Sequence, residues 1–500
     1  MTRRTSLRFL AAALLAAGVV VGGASPAAAH ANLVSTEPAY GATLPSGTGR
    51  VLIRYDLPVE VKGAQVTLER SGRGVRVGRP VHASPDRRDV SLPLAGLGEG
   101  SYILTWFLFG SDGDVMGAEL AFTVLSPAGA GVPGPAPAGS PARPVEQRSF
   151  APLSRAQDAT RLMASASLIV LVGGVAFVAR LWREGARLRR TRLLLWASLV
   201  AALAANAAAL GLKGAAVQGH SALGAFSPGA LTALNGTHVG RVLVTRLALL
   251  LLAVPVVALL TVAPQRALHS HRWWIGAAVC GLGALATHGM LSHAYARGTL
   301  ASAANIVHLS AVAVWLGGLA MLAVVVLPRR RSAELALLLP RWSRLAYGCV
   351  TTAAVAGTVL LVLISPRWTA LPTSGYGRLL LVKLALVAVL LVAASRSREF
   401  VRRRLPELAP AVTLGVTMVQ APAGIPVPVG VGATLAPART ERTAVTASFL
   451  PEEPGARGVP EEMVDPAPLR PFVTAVTAEL CIAASILAAV AVLVGRPPPT

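Results

Sequence analysis

Eight stretches of about twenty apolar residues constrain what this chain can fold into more than any other feature. They cover roughly 161–182, 193–212, 241–263, 273–294, 303–327, 345–365, 378–395 and 471–494. About 20 helical residues cross a hydrocarbon core about 30 Å thick, and lipid offers an open backbone no hydrogen-bond partner. The chain is therefore expected to form an all-α polytopic membrane bundle of about eight transmembrane helices. Hydrophobic residues make up 54% of the 500 positions and charged ones only 14%, which agrees. In a water-soluble protein the formal net charge of +23 would suggest a nucleic-acid partner. Here the arginines fall in short runs directly after apolar stretches, at 187–192, 329–331 and 402–404, as the positive-inside rule requires. The expected partner is the lipid bilayer of the plasma membrane, and no nucleic acid.

Residues 1–29 read as a secretory signal peptide. Arg3, Arg4 and Arg8 precede an apolar core from Phe9 to Val21, and the segment ends on Ala27-Ala28-Ala29. Cleavage there would make His30 the first residue, with its free amine and imidazole within chelating reach of one metal ion. From 30 to 125 the chain alternates short Val-, Leu- and aromatic-rich runs with Gly, Pro, Ser and Asp. These runs are 51–61, 64–70, 88–94, 100–109 and 118–124, the pattern of an exported Ig-like all-β sandwich. Residues 126–160 form a linker, Pro/Ala/Gly-rich up to 150, that reads as a semi-rigid tether. Spans one to seven then occupy 161–404, a flexible cytoplasmic insertion 405–470, and the final span 471–495. With the sandwich outside, the connections 183–192, 264–272, 328–344 and 396–470 become cytoplasmic, and these carry the arginines. Cys280, Cys349 and Cys481 all lie in apolar stretches, which leaves no disulfide framework and no CxxC metal motif.

The sandwich carries a specific resemblance. His30-Ala-Asn-Leu-Val-Ser-Thr-Glu-Pro, with Ser111-Asp-Gly-Asp-Val-Met-Gly117 leading into Phe122-Thr-Val124, is similar to the copper-binding CopC family. The resemblance implies a Cu(II) site built from the amine and imidazole of His30 and the loop before the last strand. Asp112 stands where the family has Asp, and Asp114 stands where a His is expected. Cu(II) favours nitrogen and oxygen donors in a tetragonal plane, so a carboxylate in place of an imidazole lowers affinity without removing the site. Met116 is the only methionine of the region, so no thioether Cu(I) site is expected there.

Ionisable residues at membrane depth are costly and mark function. His288, Met290 and His293 lie near the end of the fourth span and His308 in the fifth. Because a short loop joins these spans, His288 and His308 are expected at similar depth, facing each other, with Met290 and His293 as a relay toward the surface. Imidazole with thioether suits copper, Cu(I) in particular. His220, His238 and Met163 are accessory candidates, whereas His269 and His271 read as surface residues. Lys383 and Glu479 also fall within spans, and structural roles are expected for both. Ser292-His-Ala294, His308 with Trp315-Leu-Gly-Gly318, Arg341-Trp-Ser-Arg344 and Thr373–Lys383 together resemble the copper-resistance CopD membrane family.

Capture of copper outside and its passage inward through His293, Met290, His288 and His308 is the function this pattern implies. Neither GxxxxGK[ST] nor a DKTG-type sequence occurs, so movement would follow the membrane potential, and no enzymatic activity is expected. Two alternatives remain open. One is a copper chaperone for extracytoplasmic cuproenzymes. The other is a haem-binding redox protein with His288 and His308 as axial ligands.

Overall fold

The structure, a computed structural model, describes residues 33–45, 49–94, 96–110, 115–125, 143–144, 151–218, 222–292, 295, 298–329, 331–364, 375–403 and 466–493. The leader, most of the tether, the 405–470 insertion, and His30, Asp112, Asp114, His220 and His293 lie outside the described residues.

The amino-terminal part is a two-sheet sandwich. Strands β1 (Leu33–Glu37), β3 (Arg50–Tyr55), β6 (Val81–His82) and β7 (Asp89–Pro93) form one sheet in the order β1-β3-β7-β6. The other runs β10-β9-β8-β4-β5, from β4 (Val59–Arg70), β5 (Arg73–Val75), β8 (Gly100–Gly110), β9 (Val115–Leu125) and β10 (Arg143–Pro144). Strand β2 (Ala42–Pro45) lies parallel to β9. The run 51–61, expected as one strand, breaks around Pro58 and passes from one sheet to the other. Alternation places Val51, Ile53, Leu104, Trp106, Leu120 and Phe122 inside, each about 1.5–3 kcal/mol of apolar burial. Trp106 Nε1 donates to Tyr55 Oη at 2.8 Å across the two sheets, and burial pushes the Tyr55 phenol up. Met116 is buried in this core.

Eight long helices follow among the described residues: α1 (Ala151–Arg180), α2 (Arg189–Val217), α3 (His238–Val262), α4 (His271–Gly289), α5 (Thr299–Met321), α6 (Ser332–Ile364), α7 (Gly375–Arg403) and α8 (Pro466–Leu493). Seven have spans long and apolar enough to cross a membrane. The exception is α4, whose 19 residues include His271, Arg272 and His288 at its ends, and these lower its mean hydropathy. Helix α1 starts at Ala151, so residues 151–160, expected in the linker, are helical. Arg143 and Pro144 of the same stretch add a short edge to β9.

Helix α5 is central, packing on α1 and α6 along its length. Without a hydrophobic drive between helices in lipid, small residues that let backbones approach become the contact surface. A Cβ at Gly173 would collide with the Ala313 carbonyl oxygen, and one at Gly317 with that of Ile169. A Cβ at Gly318 would collide with the Trp342 ring. The Trp315-Leu-Gly-Gly318 motif therefore seats α5 against α1 and α6. At the far end, Arg329 grips Glu334 through two contacts of 3.0 Å, and Arg180 lies 5.3 Å over the Trp274 ring.

Candidate metal centre

The sandwich sits on one end of the bundle through a bulge that its register makes explicit. Glu60 pairs with Phe109 and Gln65 with Phe107, so residues 61–64 oppose a single residue of β8 and protrude. Gly63, at φ +84°, lies on this bulge, where a Cβ would stand 2.8 Å from Thr237 Cγ2. Beside it, both Glu60 carboxylate oxygens accept the His238 backbone N–H at 2.9 Å. An anion at a helix start satisfies an otherwise unpaired donor and complements the helix dipole. Thr237 completes the cap, its Oγ1 accepting from Gly240 N at 2.9 Å. Phe109 is wholly buried against Val217, Leu234, Val239 and Leu243 of the bundle, with Val115 and Leu291 at the margin. Phe109 and Val115 flank the 111–114 segment that carries Asp112 and Asp114, so both approaches to that segment rest on the bundle.

Two histidines at or near this junction have a buried ring nitrogen without a partner among the described residues: Nε2 of His238 and Nδ1 of His82. The His238 ring stacks on Tyr295 with centroids 5.0 Å apart. Burial and the nearby Arg87 hold the His82 imidazole below its ordinary pKa, against the Glu60 charge. His82 has no sequence motif around it, and only its place at a sheet edge near Glu60 singles it out.

Deeper in the bundle, hydrogen bonds hold both histidine rings. Ser165 Oγ donates its one proton to the Arg161 carbonyl at 2.8 Å. The same hydroxyl lies 3.1 Å from His288 Nε2, a contact in which Nε2 donates when the serine proton stays on the Arg161 carbonyl. His308 Nδ1 lies 2.8 Å from the Ala353 carbonyl oxygen and must donate, which leaves Nε2 with the lone pair. Each ring is held by one partner on a neighbouring helix, the kind of second contact metal-ligating histidines use.

The two rings are not engaged with each other. Gly289 lies against Asn305 and Leu309, so His288 and His308 are within about a turn of one depth, as expected. Their partners, however, sit on different helices, α1 for His288 and α6 for His308. Among the described residues no three His, Cys, Asp or Glu side chains converge on one point. Met290 caps α4, its N–H bonded to the Ala286 carbonyl at 2.9 Å. Met163 is exposed, and Lys383 lies near His308.

A residue the sequence reading passed over dominates the electrostatics here. Arg246 of α3 is buried and donates to Asn206 Oδ1 at 3.0 Å, Thr287 Oγ1 at 3.2 Å and the Thr287 carbonyl at 2.6 Å. It ties α2, α3 and α4 together and fixes a positive charge one residue from His288. Within the sequence it looked like one more arginine in an apolar run.

Residues 33–125 match the CopC domain family, 153–303 the copper resistance protein D-like N-terminal domain, and 336–435 the copper resistance protein D family. The chain is a CopC–CopD fusion. Among solved structures, the fusion is similar to CopC from Methylosinus trichosporium OB3b at 24% identity, over 20% of this chain and 96% of that one, with a TM-score of 0.19. PcoC, a methionine-rich copper resistance protein from Escherichia coli, is 21% identical over 19% of this chain and 100% of its own, with a TM-score of 0.18. None of the curated proteins compared with the fusion matches it significantly. Its family places it among copper-resistance membrane proteins, and its spans make it multi-pass.

Proposed function

We propose that the fusion captures copper outside the plasma membrane and passes it inward through the bundle. After removal of residues 1–29, His30 with Asp112 and Asp114 takes up Cu(II) on the sandwich. The metal then moves to the end of the bundle that carries His238, Met290 and His293, and on to the Nδ1 of His288 and the Nε2 of His308. The observation that carries this reading is the docking: Phe109 and Glu60 hold the sandwich on the end of the bundle where α3 begins at His238 and α4 ends beside Met290. The contacts of His288 Nε2 with Ser165 and of His308 Nδ1 with the Ala353 carbonyl, which leave the other ring nitrogen of each without a hydrogen bond, support it. Without a nucleotide motif the membrane potential supplies the drive, which favours inward movement of a cation.

The fixed charge of Arg246 beside His288 favours a second reading, in which copper is received and released on the outer side to a cuproenzyme or chaperone. One experiment separates the two. Protein in sealed vesicles, loaded from outside with copper, should deliver metal to a lumenal chelator, and His288→Ala with His308→Ala should cut that flux at least about tenfold. Copper that binds and reaches an external acceptor, with no lumenal signal, overturns transport and supports delivery.

A further inference from the structure

At the arginine-rich end of the bundle, away from the sandwich, the helices leave a partly open cavity of about 220 Å³. It arises because α6 packs closely on α5, and α8 on α7, while α6 and α7 barely meet. Trp315, Leu319 and Trp342 form its apolar walls, and Glu479 of α8 lines it with Ser397 and Arg398 of α7. Glu479 is only 3% exposed. One of its oxygens accepts from Ser397 Oγ at 2.5 Å. Arg398, the nearest cation lining the cavity, instead lies 4.2 Å over the ring of Tyr347 on α6. Among the described residues Glu479 forms no ion pair with an Arg or Lys. The other faces around it carry little charge. Helix α1 has no titratable residue from Met163 to Ala179, and the only one on α5 is His308, in its opposite half.

A carboxylate held in an apolar bundle without a cation is stable only if it takes up a proton or draws water to itself. A serine donor gives a partial solution, since one hydroxyl serves one lone pair of several. The cavity offers the rest: its walls are mostly apolar, but Ser343, Ser395, Ser397 and Arg398 line it with Glu479, and its volume admits water beside the carboxylate. We propose that Glu479 is a proton-exchange site, loaded and emptied through this cavity. Ser397 steadies the ionised form, and the Arg398–Tyr347 contact closes the seam between α6 and α7 beside it. The site involves no metal and stands whether or not copper crosses the bundle.

Dicyclohexylcarbodiimide, which reacts with protonated carboxyls in apolar surroundings, tests this on the full-length protein in membranes, with the modified residue located by peptide mass spectrometry. Glu479 should be labelled, with Glu479→Gln as the blank, and labelling should decline as the pH is raised from about 5 to about 9. Ser397→Ala should move that curve toward higher pH, because the donor to the ionised form is gone. Absence of label at Glu479 at the acid end, or labelling that does not vary with pH, overturns the proposal. An unshifted curve in Ser397→Ala overturns the role given to Ser397.

Discussion

Arg246 and His82 show how far a single side chain's meaning depends on what folds against it. Arg246 is a cation in an apolar helix, and its three acceptors on α2 and α4 turn a cost into a clamp. Removing a buried partner leaves acceptors unmet at roughly 1–3 kcal/mol each, which explains why a charge is kept so near a candidate metal ligand. His82 works in the opposite sense, since burial and Arg87 make its protonated form unfavourable in the folded sandwich. A histidine whose folded pKa lies below its unfolded value contributes stability that is complete above about pH 6.5 and lost as the pH falls below it. Hydrogen exchange of the 81–93 segment in the full chain should therefore accelerate as the pH drops through that range, after correction for intrinsic exchange. His82→Gln should flatten the dependence. An equally steep response in the variant would assign the acid sensitivity elsewhere.

At the scale of elements, the contact between α1 and α5 rests on the absence of two Cβ atoms. Gly173→Val should drive the helices apart, because the new branch meets the Ala313 carbonyl backbone, which cannot swing away as a side chain could. The loss should show as aggregated or unfolded protein in detergent and a thermal midpoint several degrees lower. Gly348→Ala, where a Cβ meets nothing within 4 Å, should leave that midpoint unchanged. The spans themselves were legible in the sequence, because twenty apolar residues have few other fates. So were strands β3, β4, β7, β8 and β9, whose alternation is a local property, whereas β1, β2, β5, β6 and β10 carry too short or too irregular a pattern. Trp315-Leu-Gly-Gly318 was legible as a motif, but its role in seating helices was not, since nothing local says which backbone approaches. The orientation of the rings escaped for the same reason. Depth follows from counting residues, and so His288 and His308 were placed level, whereas direction depends on Ser165 and Ala353, distant in sequence. The 62–63 break between two strand-like runs was visible, but its use as a docking bulge became apparent only once Thr237 was in place against it.

For the whole molecule, the junction decides whether the sandwich is a passive passenger on a tether or a fixed part of the proposed copper path. A tether alone would hold it near the membrane in many orientations, and transfer would wait on chance encounters. The bulge, the Glu60 cap and the Phe109 plug select one orientation, in which the residues flanking 111–114 rest beside the entry to α3 and the end of α4. Glu60 belongs to β4, outside the loop that the family resemblance assigns to copper, so changing it need not touch the metal on the sandwich. Phe109→Ala removes a fully buried ring at a cost of about 3–5 kcal/mol, shared between the sandwich and the interface. Glu60→Gln keeps the shape and removes the charge from the helix start, about 0.3–1 kcal/mol. Both variants should retain Cu(II) binding by electron paramagnetic resonance, while Phe109→Ala detaches the sandwich and Glu60→Gln loosens it a few-fold. Detachment would be read as faster proteolysis of the 126–142 tether and loss of cross-linking between paired cysteines at Lys62 and Gly236. Phe109→Ala should be the more severe, in proportion to the area it buries. Copper passage from the sandwich to the bundle should fall in the same order, and an undiminished rate in a demonstrably detached protein would show that the fixed orientation contributes nothing to transfer.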